Sequence, residues 1–205
     1  MKDKKVIKVG LAGNPNCGKS TIFNQLTGSR QHVGNYPGVT VEKKEGKASW
    51  NGYGIEVTDL PGTYSLSAYS EDELVARNFV IKEKPDVIVH VVDASNLERN
   101  LYLFTQLAEL DTPVVLAMNM SDIVEKKGRS IDYGELSVLL GSPIVPTVGN
   151  KNKGMDDLLD MIVKVYEGEV PVSKVRIDYG EEINALLEEL KEVMAKDAPL
   201  AGRYP

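Results

Sequence analysis

Residues 13–20 read Gly13-Asn14-Pro15-Asn16-Cys17-Gly18-Lys19-Ser20, a complete G-x-x-x-x-G-K-[ST] run. An apolar stretch, Val6–Ala12, precedes it and reads as a buried strand. Thr21-Ile22-Phe23-Asn24-Gln25-Leu26 follows, and a helix is expected over Lys19–Leu26. Strand, glycine-bearing loop and helix in that order are the context in which this run holds phosphate. Gly13 and Gly18 let the backbone turn so that N–H groups between Gly13 and Thr21 point at phosphate oxygens. Asn14, Pro15, Asn16 and Cys17 shape the turn. The helix adds its positive end. Lys19 is expected to reach the β- and γ-phosphates, and Ser20 to offer its hydroxyl to Mg²⁺.

Outward from this loop, short apolar strands alternate with amphipathic helices, the pattern of an α/β fold with a mainly parallel sheet. Strands are expected at 6–12, 43–50, 53–58, 86–93, 113–119 and 144–147. Helices are expected at 19–26, 71–82, 97–110, 133–140, 155–166 and 181–196. Asn51-Gly52 between two strands is a favoured hairpin pair and predicts one antiparallel strand at the sheet edge. The expectation is therefore a three-layer α/β sandwich around a six-stranded, mostly parallel sheet, with a further helical segment after residue 167. Residues 27–42 and 59–70 read as long functional loops. Ser70 is placed to cap a helix, and Gly141 to end one.

Composition narrows the class. The chain has 205 residues, 42% hydrophobic and 26% charged, with a net charge of −6. That is enough for a substantial core. The acidic balance argues against nucleic acid as a partner. Cys17 is the single cysteine, so no disulfide forms within the chain. No signal peptide is legible, and no apolar stretch approaches the roughly 20 residues that span a bilayer.

Three more segments carry chemistry. Asp59-Leu60-Pro61-Gly62 ends a strand. Its carboxylate is expected to act on Mg²⁺ through water, and the Gly62 N–H to meet the γ-phosphate. Asn119-Met120-Ser121-Asp122 ends another strand and resembles the N-K-x-D element of GTP-binding proteins. A carboxylate at Asp122 accepts from guanine N1–H and the exocyclic amine, which adenine does not offer. Met120 replaces the usual lysine and can cover the base with its polarisable chain. Thr147-Val148-Gly149 ends the next strand, with backbone contacts to guanine expected from Val148 and Gly149. In the first long loop, Gly38-Val39-Thr40 offers a second hydroxyl to Mg²⁺ through Thr40. Both loops would be ordered by γ-phosphate and released on hydrolysis. His32 reads as a solvated side chain and His90 as a hydrogen-bonded core histidine.

Together the phosphate loop, Gly34-Asn35-Tyr36-Pro37-Gly38-Val39-Thr40-Val41-Glu42, Asp59-Leu60-Pro61-Gly62-Thr63-Tyr64-Ser65-Leu66 and Asn96-Leu97-Glu98-Arg99-Asn100-Leu101 resemble the N-terminal GTPase domain of ferrous iron transport protein B. The resemblance implies a GTPase domain over 1–167, then a linker and the start of a shortened helical domain over 168–205. It implies slow hydrolysis of GTP to GDP and phosphate in the service of ferrous iron uptake. It places the chain on the cytoplasmic side of the cell membrane, joined in the native gene product to a membrane-spanning transport region. It further implies K⁺ beside Asn16, acting where other enzymes use an arginine finger. Thr63 stands where many GTPases carry a water-orienting glutamine. Two rival readings stay open: an Era-like ribosome-assembly GTPase, and a nucleotide-sensing module with negligible turnover. Self-association is also left open.

Overall fold

A computed structural model describes residues 5–28, 31–110, 112–173 and 178–196. The strands are β1 (Val6–Gly13), β2 (Gln31–Asn35), β3 (Glu42–Trp50), β4 (Tyr53–Asp59), β5 (Val87–Asp93), β6 (Val114–Asn119) and β7 (Ile144–Pro146). They form one sheet in the order β2-β3-β4-β1-β5-β6-β7. The pairs from β4 to β7 are parallel, whereas β2–β3 and β3–β4 are antiparallel. The helices are α1 (Lys19–Thr27), α2 (Glu71–Asn78), α3 (Leu97–Ala108), α4 (Ser121–Lys126), α5 (Tyr133–Leu140), α6 (Met155–Tyr166) and α7 (Glu181–Lys196).

Side chains alternate across each strand, so the central strands feed two cores. Ile7, Val9, Leu11, Val89 and Val91 pack with Ile22 and Phe23 of α1 and Leu158 and Ile162 of α6. On the other face Ile88 and Val92 pack with Phe79 and with Leu103, Phe104 and Leu107 of α3. Both faces of the sheet are covered, which is why β6 and, apart from His90, β5 read as nearly continuous apolar runs. The three-layer arrangement is the expected one. At the hairpin, Asn51 (φ 44°) and Gly52 (φ 87°) are both left-handed, as a tight β3–β4 turn requires.

Four local expectations are corrected. The sheet has seven strands, not six, because β2 forms within the first long loop. All five β2 residues are exposed, so it carries no apolar signature and is held by backbone pairing to β3. The helix begun at Glu71 ends at Asn78 and passes into a π turn, Phe79–Glu83, that tucks Phe79 and Val80 into the core. A short helix, α4, follows Met120 where none was expected. His90 is completely buried, but neither ring nitrogen has a hydrogen-bond partner, and its ring stacks on Phe104. Ser70 does cap α2, accepting from Glu73 N at 3.2 Å. Gly141 does end α5, at φ 60°.

The tail helix α7 forms over the expected residues, yet none of them is buried. Just before it, the Tyr179 hydroxyl donates to Glu109 beyond the end of α3. No helix among the described residues is long and apolar enough to cross a membrane.

Candidate functional site

The four quoted motifs lie at the carboxyl ends of parallel strands β1, β4, β6 and β7, the edge of an α/β sheet where ligands bind. Their assembly starts at glycines. A Cβ on Gly13 would lie 2.7 Å from both Cys17 Sγ and the Val91 carbonyl oxygen. Gly18 has φ 87°, and a Cβ there would sit 2.2 Å from Asn119 Nδ2. The loop closes this tightly only without side chains at those two positions. It returns as a turn in which Cys17 N donates to Asn14 O at 3.3 Å. Cys17 is buried, and burial pushes its thiol up to about 11, which leaves it a small packing residue.

Asn119 binds the parts together. Its Nδ2 donates to Cys17 O at 2.9 Å, and its Oδ1 accepts from Gly149 N at 3.0 Å. One buried amide thus joins the phosphate loop, the end of β6 and the loop after β7. Met120 next turns the chain at φ 61°, and its Cε reaches over the phosphate loop, 3.8 Å from where a Cβ on Gly18 would be. Asp122 then stands in the first turn of α4, half-buried. Lys151 Nζ meets Asp122 Oδ2 at 2.8 Å, and Lys126 approaches the same oxygen at 3.5 Å. The hydrogen bond from Lys151 is the main reason that the Asp122 carboxyl is held below its ordinary range. A carboxylate has about four lone-pair directions, so these lysines leave room for two further donors.

Lys19 and Asp59 form a direct, buried ion pair. Two buried charges need this mutual compensation. Ser20 and Asn16 of the same loop are exposed, and Asn16 has φ 65°. The Asp59-Leu60-Pro61-Gly62 turn packs on the phosphate loop: Thr63 N donates to Gly13 O at 3.2 Å. A Cβ on Gly62 would lie 3.4 Å from Pro15.

Several expected residues are engaged elsewhere. The exposed Thr40 hydroxyl lies 3.5 Å from Glu71 Oε2, so its contact is with α2 rather than with the phosphate loop. The N–H groups of Val148 and Gly149 are spent on Lys153 O, at 3.0 Å, and on Asn119 Oδ1. These two residues shape the loop with committed donors. The buried Asn14 side chain faces inward too, donating to Arg99 O at 3.2 Å. Lys151 has no sequence signal because it ends a single 3-10 turn, Gly149–Lys151, too short to show a period.

The family model for ferrous iron transport protein B matches residues 7–162. The chain belongs to the ferrous iron transport protein B family. Its similarity to the iron transport protein A/FeoB fusion protein of Porphyromonas gingivalis is 52% identity over 202 residues, covering 98% of this chain and 24% of that protein. The cytosolic domain of the T. maritima FeoB iron transporter in a GDP form superposes with a TM-score of 0.91 at 40% identity, covering 98% of this chain and 78% of that one. The GMPPNP form of that domain gives a TM-score of 0.90 at 41% identity, covering 97% and 77%. The chain spans about a quarter of the length of the curated FeoB relatives it matches. Family membership sets aside the ribosome-assembly reading.

Proposed function

We propose that this chain binds guanine nucleotide and slowly hydrolyses GTP to GDP and phosphate, as the regulatory part of a ferrous iron transporter. The observation that carries the reading is Asn119, whose amide fixes the phosphate loop and the Asp122 loop in one unit. The GDP and GMPPNP forms of the similar T. maritima domain support it. Asp122, ionised and with two free acceptor directions, selects guanine. Met120 covers the base, and Thr147, Val148 and Gly149 shape the pocket around it. Lys19 turns from Asp59 to the β- and γ-phosphates, where its charge offsets what develops as water attacks the γ-phosphorus and GDP leaves. Gly62, held against Pro15, presents its N–H to the γ-phosphate.

The donor set suits Mg²⁺, a hard cation that takes oxygen ligands and keeps several waters. Ser20 would hold it, with Thr40 once that loop leaves Glu71, and with Asp59 through water. Bound Mg²⁺ would neutralise charge on the phosphate oxygens. Asn16, exposed in the same loop, would present its amide oxygen to K⁺. In the native product the domain would lie on the cytoplasmic side of the cell membrane, joined to the transport region. Residues 1–167 would form the GTPase domain, and 168–205 would open a helical domain.

Single-turnover hydrolysis in K⁺ and in Na⁺ tests the cation assignment. Faster turnover in K⁺, with the difference lost in Asn16→Ala, is expected. Equal rates in both salts for the parent chain would reject it. A second reading, nucleotide sensing without turnover, is favoured by one observation. Thr63 is buried and has neither the amide nor the reach of the glutamine that orients water in many GTPases. No phosphate release in either salt, with GTP still bound, would decide for that reading.

A further inference from the structure

Two side chains on one face of α3 seize the second loop, and neither has a place in the nucleotide site. The Arg99 guanidinium carbon lies 4.3 Å from the centre of the Tyr64 ring. Gln106, two helical turns on, accepts from Leu66 N at 2.6 Å. The helix that carries them is firmly seated. Leu103, Phe104 and Leu107 are buried in the core. Asn100 Oδ1 accepts from Asp93 N at 3.3 Å, and its Nδ2 donates to Asn96 O at 2.9 Å. At the same point the Arg99 carbonyl accepts from Asn14 of the phosphate loop. Residue 99 therefore touches the phosphate loop through its backbone and the second loop through its side chain.

The second loop, 60–70, has no regular structure of its own. Its start is joined to the phosphate loop by Thr63, and its end to α2, where Glu73 accepts from Ser65 Oγ at 2.7 Å and Tyr69 N at 3.0 Å. The Arg99 and Gln106 contacts span the stretch between. We propose that Arg99 and Gln106 form a clamp that pre-orders residues 63–66 against the phosphate loop, making both positioning residues for hydrolysis. This rests on the reading that the chain hydrolyses GTP. A loop already ordered costs less entropy to recruit when the γ-phosphate arrives. GDP, lacking that phosphate, makes no demand on the loop. The clamp therefore acts on GTP and spares GDP.

The test uses the full chain with Arg99→Ala/Gln106→Ala, and Arg99→Lys as the conservative variant. The Asn14 contact is to a backbone oxygen and survives each substitution. Amide exchange of residues 63–69 without nucleotide should speed up roughly tenfold in the double variant, the combined scale of an exposed cation–π contact and one hydrogen bond. The kcat for GTP should fall by a similar factor, and GDP affinity should stay within about twofold on the same scale. Arg99→Lys should recover part of both effects, because an ammonium also sits on an aromatic face. Unchanged exchange at 63–69 would overturn the clamp. So would an equal loss of GDP affinity, which would mean general damage through α3. Should the parent chain release no phosphate, the hydrolysis reading fails alone, and the exchange result still decides whether the clamp exists.

Discussion

On the proposed reading, Asp122 concentrates the base-reading chemistry in one carboxylate. Lys151 and Lys126 hold it ionised without using all its acceptor directions. Asp122→Asn replaces one acceptor oxygen by a donor. It should weaken GTP and GDP at least about tenfold, the scale of a lost charged hydrogen bond, and improve xanthine nucleotides relative to guanine ones. Unchanged GDP affinity by titration would remove Asp122 from the base site. His90 illustrates a different residue-level effect. Burial lowers its pKa from 6.5 to about 3. The unfolded chain takes up this proton below about pH 6.5, while the native chain does not until about pH 3. The contribution of neutral His90 is thus fully present above pH 6.5 and is lost as pH falls towards 3. Its full size is on the order of a few kcal/mol. Urea unfolding at pH 7 and pH 5 should show a smaller acid loss for His90→Leu than for the parent, and equal losses would contradict the burial argument.

Elements with a strong period were legible from sequence alone, and those built by pairing were not. α6 and α7 occupy the expected residues because apolar positions recur along each at helical spacing, and α5 does because Gly141 marks its end. β2 was read as loop because Gln31-His32-Val33-Gly34-Asn35 buries nothing and exists through its ladder with β3. α4 has only six residues, too few to show a period. At the site, the contiguous runs from Gly13, Asp59 and Asn119 were readable because each motif is local. The Lys151–Asp122 and Arg99–Tyr64 contacts join segments far apart in sequence and carry no local pattern. α7 makes its own prediction. The helix leaves Ile183, Leu186, Leu190 and Val193 exposed. A helix without tertiary burial is marginal in water. Amides of 183–194 should exchange at least about tenfold faster than those of 158–165, since protection follows burial. Protection equal to that of α6, independent of concentration, would show that α7 docks.

At the scale of the whole molecule, one sheet edge gathers most of the groups that the proposed reaction would use. β1 delivers Lys19 and Ser20, β4 delivers Asp59, and β6 delivers Asn119 and Asp122, all at carboxyl strand ends between two apolar cores. Strand ends hold the phosphate loop and the Asp122 loop, Thr63 is tied to Gly13, and Thr40 lies against Glu71 of α2. On the proposed reading, nucleotide would bind on this frame and the γ-phosphate would be sensed by the two long loops. Without a glutamine after Gly62, turnover should fall on the order of 10⁻⁴ to 10⁻² per second, the range of unassisted GTPases. The most direct test is single-turnover phosphate release from GTP and from ATP with Mg²⁺ and K⁺, for the parent chain and Lys19→Ala. Release from GTP in that range, none from ATP, and loss of release in Lys19→Ala are the predicted results. Release from ATP at the GTP rate, or unaltered release in Lys19→Ala, would contradict the assignment of this site as a guanine-selective hydrolase.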